Sequence, residues 1–425
     1  MNFHFKTLGC KVNQYETQSL REAILKLGHT AFENLSADAV IINSCTVTAE
    51  SDRKTRQMLH KTRKEFPESI IILTGCMVQA FPEKAESLPD ADIVIGNRDT
   101  SAVINAINKF KNDRIYILNQ HKKEDTYSGL TITEFSERTR AFMKIEDGCN
   151  QHCSYCIIPK ARGFVRSRSL NDIKTEAQAL ADSGYKEIVL VGINLSAFGL
   201  GGENNICDAV DTVCQVESIK RVRLGSLEPD HITDQMLTHL KSQEKFCPQF
   251  HLSLQSGCDR TLKRMNRHYD TKFYYDLVTR IRSVFNNAAI TTDIMVGFAG
   301  ESEEEFNASA EFVKKVGFAR SHIFAYSRRA GTTAFGLPCQ VPNRDKQIRT
   351  RKMIEITKDS EREFLSSQIG LRVPVLFEKK KNGINEGYSP NYTKVCVNSE
   401  VNLEGKIVDV VIKESKSDYV IGEII

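Results

Sequence analysis

Six short apolar runs recur between Ala141 and Tyr326, each followed by a stretch of helical period. They are Phe142–Glu146, Glu187–Val191, Arg221–Leu224, Phe250–Leu254, Ile290–Val296 and His322–Tyr326. Strands alternating with helices pair in parallel and need cover on both faces. Six such units in about two hundred residues predict an incomplete (β/α) barrel, with its working groups on the loops at the strand carboxyl ends. A chain of 425 residues exceeds one core, and its flanks read differently. Toward the amino terminus, strands near Phe3–Leu8, Ala39–Asn43, Ile70–Thr74 and Ala91–Gly96 alternate with helices at Thr17–Leu27 and Asp52–Phe66, predicting a small parallel α/β sandwich. Asn119–Arg140 is polar and aperiodic, as in a linker. From Gly370, short strands separated by turns such as Lys381-Asn382-Gly383 predict a small β-barrel of the oligonucleotide-binding type. The expected domains are 1–115, a linker at 116–138, 139–368 and 369–425.

The first barrel strand runs into Asp147-Gly148-Cys149-Asn150-Gln151-His152-Cys153-Ser154-Tyr155-Cys156. Three thiolates in this CxxxCxxC can hold three irons of a [4Fe–4S] cluster and leave the fourth without a protein ligand. S-adenosylmethionine can coordinate that iron and be cleaved reductively to an adenosyl radical. A structural zinc site would need a fourth donor closing a tetrahedron, and the nearest, His152, adjoins Cys153 and is badly placed for it. A second triplet is spread out: Cys10, Cys45 and Cys76 each fall just past the carboxyl end of an apolar run. In a parallel sheet those ends share one edge, where ligand crevices form, so the spacing predicts convergence on a second cluster; three unrelated buried thiols are the alternative.

Other residues take meaning from their place after barrel strands. Asn194 follows the second, Glu228 the third and Gln255 the fourth; Asp293 lies in the fifth and Gly297 follows it. These are candidate contacts for the cofactor, although each also suits a turn or a helix cap. Arg162, Arg166 and Arg168 follow the cysteine loop, as a solvated charge run or as holders of a carboxylate or RNA phosphate. In the carboxyl-terminal segment Lys379, Lys380 and Lys381 precede Tyr388, Asn391 and Tyr392; lysines neutralise phosphate while aromatic faces stack on unpaired bases.

Twelve cysteines without a signal-like amino terminus predict a reducing, cytoplasmic setting and metal binding rather than a disulfide framework. The six outside the triplets lack ligand spacing. No apolar run approaches the ~20 residues needed to cross a bilayer, so no membrane partner is expected. A net charge of +4 permits a nucleic-acid partner without requiring one.

The chain resembles the radical-SAM methylthiotransferases almost end to end: the scattered cysteine triplet, the CxxxCxxC barrel and a carboxyl-terminal TRAM domain. Thr7-Leu8-Gly9-Cys10-Lys11-Val12-Asn13-Gln14-Tyr15-Glu16-Thr17, Leu254-Gln255-Ser256-Gly257 and Tyr326-Ser327-Arg328-Arg329-Ala330-Gly331-Thr332 are similar to the branch that modifies N6-threonylcarbamoyladenosine beside the tRNA anticodon. The isopentenyladenosine branch typically has GCQMN at the first cysteine and the ribosomal-protein branch GCPKN. Lys160 and Ala299 depart from the usual pattern without touching a ligand. The resemblance implies two [4Fe–4S] clusters, S-adenosylmethionine, and methylthio transfer to C2 of the adenine at position 37. Implied partners are the tRNA anticodon arm, an electron donor such as a flavodoxin or ferredoxin, and a sulfur source. Other classes compatible with the residues are another radical-SAM enzyme with an electron-relay cluster, and a zinc-containing nucleic-acid-binding protein.

Overall fold

The computed structural model describes every residue except 100, 112 and 136–138. Its amino-terminal sheet is parallel throughout, in the order β1 (Phe3–Thr7), β2 (Ala39–Ser44), β3 (Ile70–Gly75), β4 (Ile93–Ile95) and β5 (Ile115–Ile117). Side chains alternate between faces: Ala39, Ile41 and Ile72 pack with Leu20 and Ile24 on one side, and Val40, Ile42, Ile71 and Leu73 with Leu59 on the other. Cover on both faces explains why these strands read as unbroken apolar runs. The sequence missed β5, which pairs with β4 and carries the sheet past residue 115. Three residues with half-exposed or exposed side chains leave too little pattern to detect.

The barrel strands are β6 (Arg140–Lys144), β9 (Glu187–Val191), β10 (Arg221–Leu224) continued by β11 (Ser226–Leu227), β12 (Gln249–Leu252), β13 (Ala289–Val296) and β14 (Arg320–Ala325). Between β6 and β9 the short β7 (Glu146–Asp147) and β8 (Arg166–Ser167) form a separate antiparallel pair. Parallel ladders run in the order β6-β9-β10 and, after a break at Gly225, β11-β12-β13-β14. This is the expected six-unit partial barrel. Ala141, Met143, Ile188, Leu190, Val222, Phe250, Leu252 and Ile290 are fully buried beneath the helices. The alternate residues Arg140, Lys144, Glu187, Arg223, His251, Asp293 and His322 line the concave face, a polar wall inside an apolar shell.

The segment from Asn119 to Phe135 has no regular structure but is not a free tether. Ile132 and Phe135 are buried. Glu22 accepts from the Thr133 amide at 2.8 Å, the Thr133 hydroxyl and the Glu134 amide, while Glu176 accepts from the Ile132 amide. The end of the expected linker, 136–138, lies outside the described residues. Helix Asn343–Ser366 then packs along β14 and leads to a closed barrel of β15 (Arg372–Lys381), β16 (Ile384–Tyr388), β17 (Lys394–Asn398), β18 (Ile407–Ser415) and β19 (Val420–Ile424). Its order is β15-β16-β17-β19-β18, around Val375, Phe377, Val395, Val410 and Val420.

Candidate active site

The three scattered cysteines meet at the carboxyl edge of the amino-terminal sheet. The Cys10 and Cys76 thiols both face Asn13 Oδ1, at 3.7 and 4.0 Å. Cys45 packs against the turn before Cys10, where Gly9 has φ +112° and a Cβ would stand 2.9 Å from the Cys45 Cβ. Asn13 fixes this edge by donating to the Leu8 carbonyl at 2.8 Å and the Ser44 carbonyl at 3.0 Å. Burial pushes the Cys76 thiol up to about 12, with Arg162 opposing and the neighbouring thiols adding to the rise. Cys10 is raised for the same first reason.

The second triplet lies on the loop after β7. Pairing of Glu146 with Ser167 and Asp147 with Arg166 closes the base of the loop, and the Cys149 amide donates to the Gly163 carbonyl at 3.0 Å. Gly148, at φ +89°, allows the chain to pass the Phe164 carbonyl, which a Cβ would meet at 1.9 Å. Ser154 anchors the far side through the Met265 and Arg264 carbonyls. Burial, reinforced by Cys153, holds Cys149 and Cys156 at about 12. His152 is exposed. Neutral thiols crowded together in this way lose their protons to a strongly positive centre. Among the described residues no three His, Cys, Asp or Glu side chains stand close enough to hold one metal ion. A cubane would offer each thiolate of a triplet a different iron.

Two buried arginines donate to cysteine sulfur: Arg162, for which the sequence did not show this role, and Arg267, which it did not single out. Arg162 Nε lies 3.2 Å from Cys76 Sγ, and Arg267 Nη1 lies 3.1 Å from Cys153 Sγ. Arg162 also binds Asn13 at 2.8 Å and pairs with Glu16; Lys144 joins Glu16 to Asp147 at 2.7 Å each. Burial opposes ionisation of Glu16 and Asp147, but Arg162 and Lys144 hold both below the usual carboxylate range. This network joins helix Lys11–Lys26 to the cysteine loop, so the two triplets share one rigid seam. Of the two readings of the arginines after that loop, the solvated charge run is corrected, and the holding of carboxylates is what the structure shows. Arg162, Arg166 and Arg168 are buried and paired with Glu16, Asp147 and Glu176: Glu16 comes from the amino-terminal helix across the seam, and Asp147 and Glu176 from the barrel itself.

Four of the five cofactor candidates lie on the rim with the cysteine loop. Asn194 is buried, its amide donating to Glu146 at 2.7 Å and its Oδ1 unpartnered. Glu228 pairs with Arg267, and Gln255 takes a left-handed φ of +66°. Gly297 donates to Glu301, and its bare Cα lies where a Cβ would strike Lys346 at 2.4 Å. Asp293 sits lower, on the concave wall, 3.4 Å from His251.

The carboxyl-terminal barrel docks at the base of the concave wall. Arg221 and Arg223 donate to the carbonyls of Tyr388 and Pro390 at 2.9 and 2.8 Å. Tyr388 and Tyr392 stack on each other at 4.7 Å and against Arg140, so they seal a domain boundary instead of standing free for bases. Lys379 pairs with Glu386 and Lys380 reaches the Glu400 carbonyl.

The model of the uncharacterized protein family UPF0004 matches residues 2–96, and that of the radical SAM superfamily matches residues 143–313. The threonylcarbamoyladenosine tRNA methylthiotransferase MtaB of Bacillus subtilis is 35% identical, covering 99% of this chain and 96% of its own. Its namesake in Thermotoga maritima is 35% identical over 92% and 89%. The tRNA-2-methylthio-N(6)-dimethylallyladenosine synthase of Clostridium tetani is also 35% identical, over 99% and 96%. Among solved structures, the radical S-adenosylmethionine methyltransferase TsrM from Kitasatospora setae superposes with a TM-score of 0.58 at 11% identity, over 91% of this chain and 80% of that one. This likeness extends to the fold.

Proposed function

The chain belongs to the radical-SAM tRNA methylthiotransferases, and on that premise we propose that it installs a methylthio group at C2 of N6-threonylcarbamoyladenosine, position 37 of tRNA. The observation carrying this reading is the pair of cysteine triplets joined by the Arg162–Glu16 seam beside one concave wall. When bound, two [4Fe–4S] clusters and S-adenosylmethionine supply the sulfur, the methyl group and the radical that an unactivated aromatic C–H bond requires.

The chain's own residues do the holding. Cys10, Cys45 and Cys76 hold one cluster, and Cys149, Cys153 and Cys156 the other. Asn194, whose Oδ1 is buried and unpartnered, would accept a hydrogen bond from bound S-adenosylmethionine. Glu228 and Gln255 on the same rim, and Asp293 lower on the wall, would supply further polar contacts, and the backbone at Gly297, whose bare Cα accommodates Lys346, would lie against the adenine. Arg162 and Arg267 each direct a guanidinium hydrogen at a ligating sulfur, which stabilises thiolate charge. The seam keeps the two centres at a fixed separation, so substrate carbon, radical and sulfur can be lined up. The work is cytoplasmic and draws on a flavodoxin- or ferredoxin-like reductant and a sulfur source; no helix among the described residues is long and apolar enough to cross a membrane.

The test is mass spectrometry of tRNA nucleosides from a strain lacking the protein. Loss of the 2-methylthio form of N6-threonylcarbamoyladenosine is expected; loss of the isopentenyl counterpart instead would move the chain to that branch. Anaerobic reconstitution should give ~8 irons per chain. Cys153→Ala should abolish 5′-deoxyadenosine formation, and Cys45→Ala should keep it while ending methylthiolation. Zinc in both triplets would overturn the reading.

A further inference from the structure

Three cations from separate parts of the chain converge on one phenol. The Arg140 and Arg223 guanidinium carbons each lie 4.7 Å from the Tyr392 ring centre, and the Lys11 ammonium acts on the same phenol from the amino-terminal domain. Burial would raise the Tyr392 phenol, yet Arg140, Lys11 and Arg223 together hold it below its ordinary value, as surplus positive charge does. Glu187 and Glu378 offset only part of that charge. Glu187 is shared among Arg223 at 2.9 Å, Arg221 at 3.4 Å and Arg140 at 3.9 Å, while Glu378 pairs with Arg140.

Two donors remain unused. Arg223 is 1% exposed and its Nη2 has no hydrogen-bond partner. Lys11 is open to solvent, and besides the Tyr392 phenol its ammonium faces the ring of Phe142, at 5.7 Å, with no carboxylate among its neighbours in the described residues. Its position is also electrostatically unfavourable. Lys11 opens helix Lys11–Lys26, whose first turn contains no acidic residue, so its charge adds to the positive end of the helix dipole. A buried donor without a partner and a cation held against its own helix dipole both suit an anion that arrives from outside.

We propose that Lys11, Arg140 and Arg223 form an anion pocket that receives the carboxylate of the threonylcarbamoyl group, selecting it over an uncharged substituent on N6. This rests on the function proposed above and names what reads its substrate. Lys11 directly follows Cys10, one of the ligands assigned above to the cluster of the scattered triplet. C2 and C6 of adenine flank N1 on one edge of the ring, and C6 bears N6. A substituent on N6 therefore lies within a base-width of the carbon to be modified, and residues 10 and 11 face neighbouring parts of one nucleotide. The pocket is complete only when amino-terminal domain, barrel and carboxyl-terminal barrel are together, because each contributes a wall.

The experiment compares two anticodon stem-loops with reconstituted holoenzyme: one bearing N6-threonylcarbamoyladenosine and one bearing its methyl ester, which masks the carboxylate. The wild type should favour the free acid in kcat/KM by at least about tenfold, the range of a hydrogen bond to a charged group. Lys11→Met should bring the ratio close to one, and Lys11→Arg should keep most of the preference. Because each ratio is taken within one preparation, partial loss of cluster cancels. If Lys11→Met makes no product, stem-loop affinities from fluorescence anisotropy give the same ratio. A wild-type ratio near one, or an unchanged ratio in Lys11→Met, overturns the pocket. Failure of the wild type to modify the free-acid stem-loop would overturn the proposed function itself.

Discussion

Arg162 carries more than its exposure suggests at the scale of single residues. It is fully buried, donates to Cys76, and pairs with Glu16 across a domain boundary. A charge in that position holds only because its partners are buried with it; removing one member leaves the others uncompensated. Arg162→Met keeps much of the volume but leaves Glu16 with Lys144 alone, and should destabilise the protein by ~3–5 kcal/mol. Denaturant unfolding of the metal-free protein measures this, and a loss below about 1 kcal/mol would show that the seam contributes little. The sequence showed the six triplet cysteines because their spacing is local or follows strand ends. It did not show Arg162 or Arg267 as sulfur donors. Nothing in an arginine's neighbours along the chain reports that it will meet a cysteine 86 or 114 residues away.

Helices and strands with a strong period were legible as elements, and those held by non-local polar contacts were not. Each of the six barrel strands has a buried outer face, so its apolar run survives in the sequence. The stretch from Asn119 to Phe135 reads as a linker because its order comes from Glu22 and Glu176, which lie on helices of two other domains. Its two buried side chains, Ile132 and Phe135, are too few to form a pattern. Glu22→Ala removes the acceptor for two amides and a hydroxyl at once. We expect faster amide exchange at Thr133 and Glu134 and quicker proteolysis between residues 119 and 135, with iron content unchanged. Protection equal to wild type would mean that Glu22 is dispensable and that Glu176, Tyr185 and the burial of Ile132 and Phe135 suffice to order the segment. The stacked Tyr388 and Tyr392 make the complementary point. A pair of tyrosines behind three lysines suits base stacking, yet the two rings are spent on Arg140 and the base of the barrel.

At the level of the whole molecule, the three parts meet around the cationic pocket, and β15 leads out of it. Glu378 pairs with Arg140 at the pocket wall, and Lys379, Lys380 and Lys381 continue along the same strand toward solvent. The net charge of +4 is too small for binding to a polyanion by overall attraction, so RNA affinity must come from local tracks such as this one. The track is weaker than three free lysines, because Lys379 already pairs with Glu386, which it shares with Lys394. Three phosphate contacts to single-stranded RNA would change the salt slope of log K by about 2 units. With Lys379 paired internally, changing all three lysines to Ala should lower it by only about 1 and weaken anticodon stem-loop binding several-fold. Cleavage of S-adenosylmethionine in the absence of tRNA should stay at the wild-type rate, since the cysteine loop lies at the opposite end of the barrel strands. A filter-binding titration across salt concentrations separates the possibilities. A drop of 2 units would mean that RNA displaces Glu386 from Lys379, and an unchanged slope would leave the Lys11 pocket and its neighbours as the source of affinity.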